Sequence, residues 1–345
     1  MKRSIVAVGA ALAILSISVP ARAEGADAAL IEAARREGAL AWYSTLIVNQ
    51  ITRPLSLAFE KKYPGIKVQY SRATSSDVAL KITNEARAGR IQADVFDGSN
   101  TIFPLQDAGL VEPYLVDSAR SYPAEFRDKA GLWTTMNVYY LTVGYNTDLV
   151  KGADIPRSYD DLLNPKWAGK MAWTTDPTAN GPPGFIQNIL ALKGEAKGME
   201  YLKALAAQKP VNIPAAQRVV LDKVIAGEFP IGLMTFNHHS AISAAKGAPV
   251  AWARTEPLLA SANLISIVKG APHPNAAKLF LEYVLSVEGQ KEVAKALYLP
   301  AHPNVPAEEA DLKPEAGKFT SRVVTPDMMR EGMDRWIALY QSMFR

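Results

Sequence analysis

Two adjacent histidines, His238 and His239, are the most distinctive candidates for chemistry in this chain of 345 residues. They follow the apolar run 230–235, which predicts a buried strand. Ligands of open α/β sheets bind outside the carboxyl ends of strands. We therefore expect Asn237, His238 and His239 to contact a ligand, and a protonated imidazole would strengthen the binding of an anion.

The same two imidazoles suit a transition metal such as zinc, copper or nickel. A metal site needs three or more protein ligands, whereas His273 and His302 lie in separate proline-flanked loops. No metal site is therefore favoured, and His238 and His239 are the candidate ligands if a metal is bound. We expect no cofactor.

Hydroxyl and amide side chains recur at five places where a predicted strand ends, counting Asn237 after the run 230–235. They predict an oxygen-rich ligand such as a phosphate, phosphonate or carboxylate, held together with backbone N–H groups at helix starts. Helix capping and turn formation use the same residue types and remain the alternative for each one. The candidate ligand-binding residues of this set are Ser44, Thr45, Thr74, Ser75, Ser99, Asn100, Thr174 and Thr175.

Catalysis by a hydrolase is the competing class of function. A triad can be assembled from Ser99, His238 and Asp176 only by selecting residues, because triads are defined by geometry. The chain has no G-x-S-x-G elbow, no H-E-x-x-H, no P-loop and no G-x-G-x-x-G. We expect a protein that is not an enzyme.

The elements that must position these residues begin with a β-α-β-α-β pattern. Predicted strands at 39–43, 66–70 and 93–96 alternate with helices at 49–62 and 74–89, after a first helix at 28–37. This alternation is typical of a parallel sheet covered by helices. The polar loops after the three strands should lie along one edge of that sheet.

A second set of strands and helices follows the long β-rich run 138–145. The apolar run 262–268 then returns to the first half, so one lobe is inserted into the other and the cleft between them can close on a ligand. The predicted fold is α/β with two lobes and a ligand cleft between them. The predicted divisions are a signal peptide at 1–23, lobe 1 at 24–140, lobe 2 at 141–258, a return segment of lobe 1 at 259–300 and a C-terminal helical segment at 301–345 that packs on the lobes.

The N-terminus predicts export. Lys2 and Arg3 precede an apolar stretch that ends in Ala21-Arg22-Ala23, the layout of a cleaved signal peptide. The chain has no cysteine, which excludes disulfides and a lipid-modified cysteine, so we expect a periplasmic protein. Cleavage lowers the net charge from +4 to about +1, and no basic run occurs, which argues against nucleic acid as a partner.

Several segments resemble the periplasmic binding proteins of ABC importers, in the ferric-ion-binding branch of the type II fold. The matching segments are 164–167, 224–228, 276–280, 286–290 and 299–300. The resemblance covers most of the mature chain and implies a small-molecule or ion ligand, an inner-membrane ABC permease as partner and a monomeric protein. Relatives in this family carry iron, thiamine, phosphonates or sugar phosphates, so the resemblance does not name the ligand.

The ferric-binding members carry paired tyrosines at the position of His238 and His239. They also commonly place a histidine in the loop matching 44–47 and a glutamate in the loop matching 98–100, and this chain has neither. Since Fe(III) favours oxygen donors, we rank a small polar or anionic solute first and ferric iron or another metal second. For Arg72 and Arg218 we favour solvated surface positions, and contact with an anion is the alternative for both.

Overall fold

The computed structural model describes residues 27–178, 180–314 and 318–345. The predicted signal peptide at 1–23 lies outside these residues. Among the described residues, no helix has both the length and the apolar composition that a bilayer crossing requires.

The described strands and helices alternate along most of the chain. The strands are β1 Ala39–Ser44, β2 Lys67–Arg72, β3 Val95–Gly98, β4 Val111–Glu112, β5 Thr134–Asn146, β6 Met171–Thr174, β7 Val211–Ile213, β8 Ile231–Phe236, β9 Val250–Ala253, β10 Leu258–Val268, β11 Leu299–Pro300 and β12 Ser321–Val324. The helices are α1 Ala28–Glu37, α2 Arg53–Lys62, α3 Ser75–Arg87, α4 Ile102–Asp107, α5 Pro182–Lys193, α6 Glu195–Ala207, α7 Gln217–Ile225, α8 Asn237–Ala244, α9 Pro274–Val284, α10 Val287–Lys295 and α11 Pro326–Phe344.

One continuous sheet runs through both halves of the molecule in the order β2-β1-β3-β10-β5-β8-β6-β7. At one end, β1 pairs in parallel with β2 and β3, as the β-α-β-α-β pattern predicts. At the other end, β6 pairs in parallel with β7 and β8. We call the half built on β1, β2, β3 and β4 lobe 1, and the half built on β6, β7, β8 and β9 lobe 2.

The long antiparallel strands β5 and β10 join the two lobes. The predicted division at 140–141 falls in the middle of β5, which continues from the β10 pairing into pairings with β8 and β9. The division at 258–259 falls at the start of β10. Both connections are strands that run through the two lobes, so no loop marks a boundary between them. The predicted divisions between the lobes therefore stay a prediction.

Local sequence explains where the elements of lobe 1 begin and end. Gly38 adopts a left-handed conformation with φ 71° and ends α1, as expected for a glycine after a helix. Thr74 caps α3, because its hydroxyl accepts a hydrogen bond from the Asp77 amide. One prediction is wrong in detail: the helix expected from Asn49 begins as a π-helical turn, Val48–Thr52, before α2 starts.

The last helix, α11, packs mainly on lobe 2. Rings of Tyr340 and Phe344 lie 5.8 and 4.8 Å from that of Trp173, which is fully buried. At its other end, Arg330 forms an ion pair with Asp107 of lobe 1 at 2.8 Å. The C-terminal segment therefore contacts both lobes.

Candidate functional site

A cavity of about 450 Å³ lies between the two lobes, at the carboxyl ends of β1, β2, β3 and β8. Its size is that of a site for a small organic molecule. Lobe 1 contributes Thr45, Leu46, Ile47, Arg72, Ala73, Thr74, Ser75, Asp77 and Ser99 to its wall. The remaining lining residues are Tyr139, Asp176, Thr178, Asn180, Ala216, Gln217, Arg218, Phe236, His239 and Tyr298.

Five of the residues predicted from the sequence line this cavity together. They are Thr45, Thr74, Ser75, Ser99 and His239. The first four follow β1, β2 and β3, and the sheet brings these three strand ends to one edge. The strand-exit argument therefore located one wall of the cavity.

The other predicted residues do not line the cavity. Ser44 accepts a hydrogen bond from the Leu46 amide at 3.1 Å, and Thr174 donates to the Ala215 carbonyl at 2.6 Å. Asn237 is fully buried and donates to the Leu312 carbonyl at 2.8 Å. The hydrogen bonds of Ser44 and Thr174 lie within loops and turns, as the capping alternative predicts. The predicted residues outside the lining are Ser44, Asn100, Thr174, Thr175, Asn237 and His238.

The backbone of the histidine pair differs from the predicted exit loop. Asn237 begins α8, so His238 and His239 occupy its first turn, and their rings lie 4.4 Å apart. The ring of His238 is buried between aromatic rings, 4.8 Å from Tyr298 and 5.8 Å from Tyr139. Within the described residues, neither nitrogen of His238 has a hydrogen-bond partner.

Burial keeps both imidazoles uncharged at neutral pH. It lowers the pKa of His238 to about 3. Burial also holds the pKa of His239 well below its usual range, and the nearby His238, Arg218 and Arg72 lower this pKa further. A protonated histidine would strengthen anion binding, but the interior disfavours the charged form of both imidazoles.

Two arginines supply positive charge at the cavity instead. Arg72 ends β2 and its Nε donates to the Thr45 carbonyl at 3.3 Å. Arg218, in the first turn of α7, pairs with Asp222 at 2.7 Å and donates to Ser243 at 3.0 Å. Each guanidinium has five N–H donors, so both retain donors for a ligand. The sequence places Arg72 at the end of a predicted strand, so the strand-exit argument could have identified it as a cavity residue.

Two helices begin at the cavity wall. Thr74, Ser75 and Asp77 of the α3 start line it, and so do Gln217 and Arg218 of the α7 start. Ala216, which precedes α7, has no side-chain oxygen to accept from the first amides of that helix. Free amides and the positive end of the helix dipole therefore favour an anion at the start of α7, whereas Thr74 caps α3 and Asp77 adds a negative charge to its first turn.

A buried carboxylate holds the wall of lobe 1 in place. Asp97 accepts hydrogen bonds from the indole of Trp42 at 2.8 Å and from the amide and hydroxyl of Thr45 at 2.9 and 2.6 Å. Burial raises the pKa of Asp97, while the hydrogen bonds from Ser44 and Thr45 oppose that rise. Asp97 does not line the cavity and positions Thr45, which does.

The two lobes touch across the cavity. The side-chain amide of Asn180 in lobe 2 donates to the hydroxyl of Ser99 in lobe 1 at 3.0 Å. Gln217 in turn donates to the Asn180 carbonyl at 2.7 Å. The two lobes are therefore in contact at this edge of the cleft.

Neither a hydrolase triad nor a metal cluster forms in the described part of the chain. Both nitrogens of His238 lack partners, so the combination of Ser99, His238 and Asp176 has no relay of hydrogen bonds. The described residues also contain no group of three or more histidine, aspartate or glutamate side chains suited to a metal ion.

Several known proteins similar to this chain are named as periplasmic binding proteins. The chain is 23% identical to the Fe(3+)-binding periplasmic protein of Serratia marcescens over 79% of its own length and 84% of the relative's. It is 25% identical to a putative 2-aminoethylphosphonate-binding periplasmic protein of Salmonella typhimurium, over 68% and 69% of the two chains.

Solved structures agree with the fold. The periplasmic binding protein AfuA from Actinobacillus pleuropneumoniae, solved with fructose-6-phosphate bound, superposes with a TM-score of 0.74 at 24% identity. The match covers 89% of this chain and 98% of that structure. The predicted two-lobed type II fold is thereby confirmed. The family described as bacterial extracellular solute-binding protein matches residues 55–320, and the chain belongs to this family.

Proposed function

We propose that this protein is the periplasmic solute-binding component of an ABC importer and that it captures a small organic anion of the phosphate, phosphonate or carboxylate type. Membership in the solute-binding family supports the general role. The predicted N-terminal signal supports export, and its cleavage would leave a protein that delivers its ligand to an inner-membrane permease. The protein would act as a monomer and release the ligand chemically unchanged.

The observation that carries the anion assignment is the pair Arg72 and Arg218 on opposite walls of one cavity. Charge-assisted hydrogen bonds from a guanidinium to a phosphate or carboxylate are about twice as strong as neutral ones. The uncapped N-terminus of α7 adds amide donors to the same cavity. The hydroxyls of Thr45, Ser75 and Ser99 complete an oxyanion-binding surface.

Iron is the second candidate because two phenols and one imidazole line the same cavity. The hydroxyl of Tyr298 lies 3.4 Å from Nε2 of His239, and Tyr139 lies beside them. Fe(III) favours phenolate oxygen, but burial raises the pKa of both tyrosines, which makes deprotonation costly. The cationic Arg72 and Arg218 also oppose a metal cation, so the anion ranks first.

The test is titration calorimetry of the mature protein with ethyl phosphate as the probe. Arg72→Gln and Arg218→Gln should each weaken binding by about tenfold or more, because each removes a charge-assisted contact. Arg120→Gln is the matched control, since Arg120 is exposed, lies outside the cavity and pairs with the nearby Asp117. Equal affinity in all four proteins would contradict the proposed anion site.

A further inference from the structure

A side-chain hydrogen bond crosses the cavity from lobe 2 to lobe 1. The amide of Asn180 donates to the hydroxyl oxygen of Ser99 at 3.0 Å, and both residues line the cavity. A hydroxyl can accept with its oxygen and donate its own proton at the same time. Ser99 therefore keeps a proton for a ligand in the cavity while its oxygen holds Asn180 of the other lobe.

The loop that carries Ser99 is fixed to lobe 1. The backbone carbonyl of Asp97 accepts from the Thr101 hydroxyl at 3.0 Å, which closes a tight turn around Ser99. The carboxylate of Asp97 accepts from the indole of Trp42 at 2.8 Å. Asp97, Thr101 and Trp42 are fully buried. Lobe 1 therefore sets the position of the Ser99 hydroxyl.

The loop that carries Asn180 is fixed to lobe 2. Gln217, in the first turn of α7, donates to the backbone carbonyl of Asn180 at 2.7 Å. The Gly181 amide donates to the Thr178 carbonyl at 3.0 Å, and an added Cβ on Gly181 would collide with the Asp176 carbonyl. Within the described residues, Oδ1 of Asn180 has no hydrogen-bond partner. The hydrogen bonding of this side chain is therefore directed to lobe 1.

An anion in the cavity would strengthen the bond between the lobes. Hydrogen bonds in a chain polarise one another, so a hydroxyl that donates to an anion becomes a better acceptor. Separation of the lobes breaks the bond from Asn180 to Ser99, because each partner is fixed to its own lobe. A bound anion would therefore favour the conformation in which the lobes are in contact.

We propose that Ser99 is a hydrogen-bond relay, which donates to the anionic group of the ligand and accepts from Asn180, and that Asn180 is a positioning residue that holds lobe 2 against the bound ligand. This inference rests on the proposed anion-binding function and adds how the ligand keeps the cleft shut. The bond between the lobes forms after the ligand has entered. Its loss should therefore speed release and leave association unchanged.

The experiment is a double-mutant cycle of Asn180→Ala and Ser99→Ala, with ethyl phosphate as the probe in titration calorimetry. Asn180→Ala should weaken binding about fivefold, the size of one neutral hydrogen bond. Ser99→Ala should weaken it at least about tenfold, because it removes the contact to the anion together with the relay. Adding Asn180→Ala to Ser99→Ala should then cause no further loss. Asn84→Ala is the matched control, since Asn84 is exposed on α3 outside the cavity.

Stopped-flow kinetics with the same probe distinguish the relay from a general structural defect. Asn180→Ala should raise the dissociation rate about fivefold and leave the association rate unchanged. Unchanged affinity in Asn180→Ala, losses that multiply in the double variant, or slower association would overturn the relay and leave the anion site intact. Failure of the parent protein to bind ethyl phosphate would overturn both the relay and the proposed function.

Discussion

At the cleft, His239 and Arg218 lie on neighbouring helices but differ in their access to water. Arg218 keeps 29% of its side chain exposed and stays charged, whereas His239 is 5% exposed and stays neutral. The sequence shows two histidines after a buried strand, but it does not show that α8 begins at Asn237 and turns His238 into the core. The sequence does predict that Thr45, Thr74, Ser75 and Ser99 follow strand ends, because the end of a strand can be recognised from neighbouring residues.

The buried histidine makes the stability of the protein sensitive to acid. The pKa of His238 is about 3 when folded and about 6.5 in the unfolded chain. Between these two pH values only the unfolded chain binds the proton. The contribution of His238 to the free energy of unfolding is therefore fully present above pH 6.5 and is lost as the pH falls below that value. At pH 5, which is about 1.5 units lower, this one group costs about 2 kcal/mol.

His238→Leu should remove this part of the acid sensitivity, since leucine fits an aromatic pocket and does not titrate. Urea unfolding at pH 8 and at pH 5 measures it. Between these pH values, the parent protein should lose about 2 kcal/mol more than the variant. Equal losses in the two proteins would mean that His238 is solvated or paired in solution.

At the scale of elements, the first half of the sheet was predictable and some connections were not. Alternating strands, a helix-ending Gly38 and a capping Thr74 are local signals, and β1, β2 and α3 lie where these signals place them. The π-helical turn before α2 and the short strand β7 depend on contacts with distant segments. The loop at Gly98 is a third such case, because its shape depends on α3.

Gly98 is required where β3 ends against the start of α3. Its φ of +142° disfavours other residues, and an added Cβ would collide with the hydroxyl of Thr101 and approach that of Ser75. Gly98→Ala should therefore lower the free energy of unfolding by about 3 kcal/mol and weaken ligand binding through Ser75.

Gly89→Ala is the matched control for this substitution. Gly89 also has a positive φ, +65°, but an added Cβ would meet nothing within 4 Å. It should cost only about 1 kcal/mol and leave binding unchanged. Thermal unfolding of both variants measures the difference, and similar costs would show that the collision at Gly98 is relieved by movement of α3.

At the scale of the whole molecule, the features that mark the family and those that select the ligand lie in different places. The matching segments 276–280 and 286–290 form α9 and α10, whose residues Phe280 and Gln290 are buried in the core of lobe 1. None of them lines the cavity. The sequence therefore predicted the solute-binding family, which the comparisons confirm, while the ligand depends on wall residues brought together from both lobes.

Native mass spectrometry of the mature protein, purified without refolding and combined with metal analysis, tests the central claim most directly. We expect a bound organic anion of discrete mass, no stoichiometric metal, and loss of the bound molecule in Arg218→Gln. Stoichiometric iron that is lost in His239→Asn or Tyr298→Phe, with no organic anion, would contradict the anion site and assign the cavity to a metal.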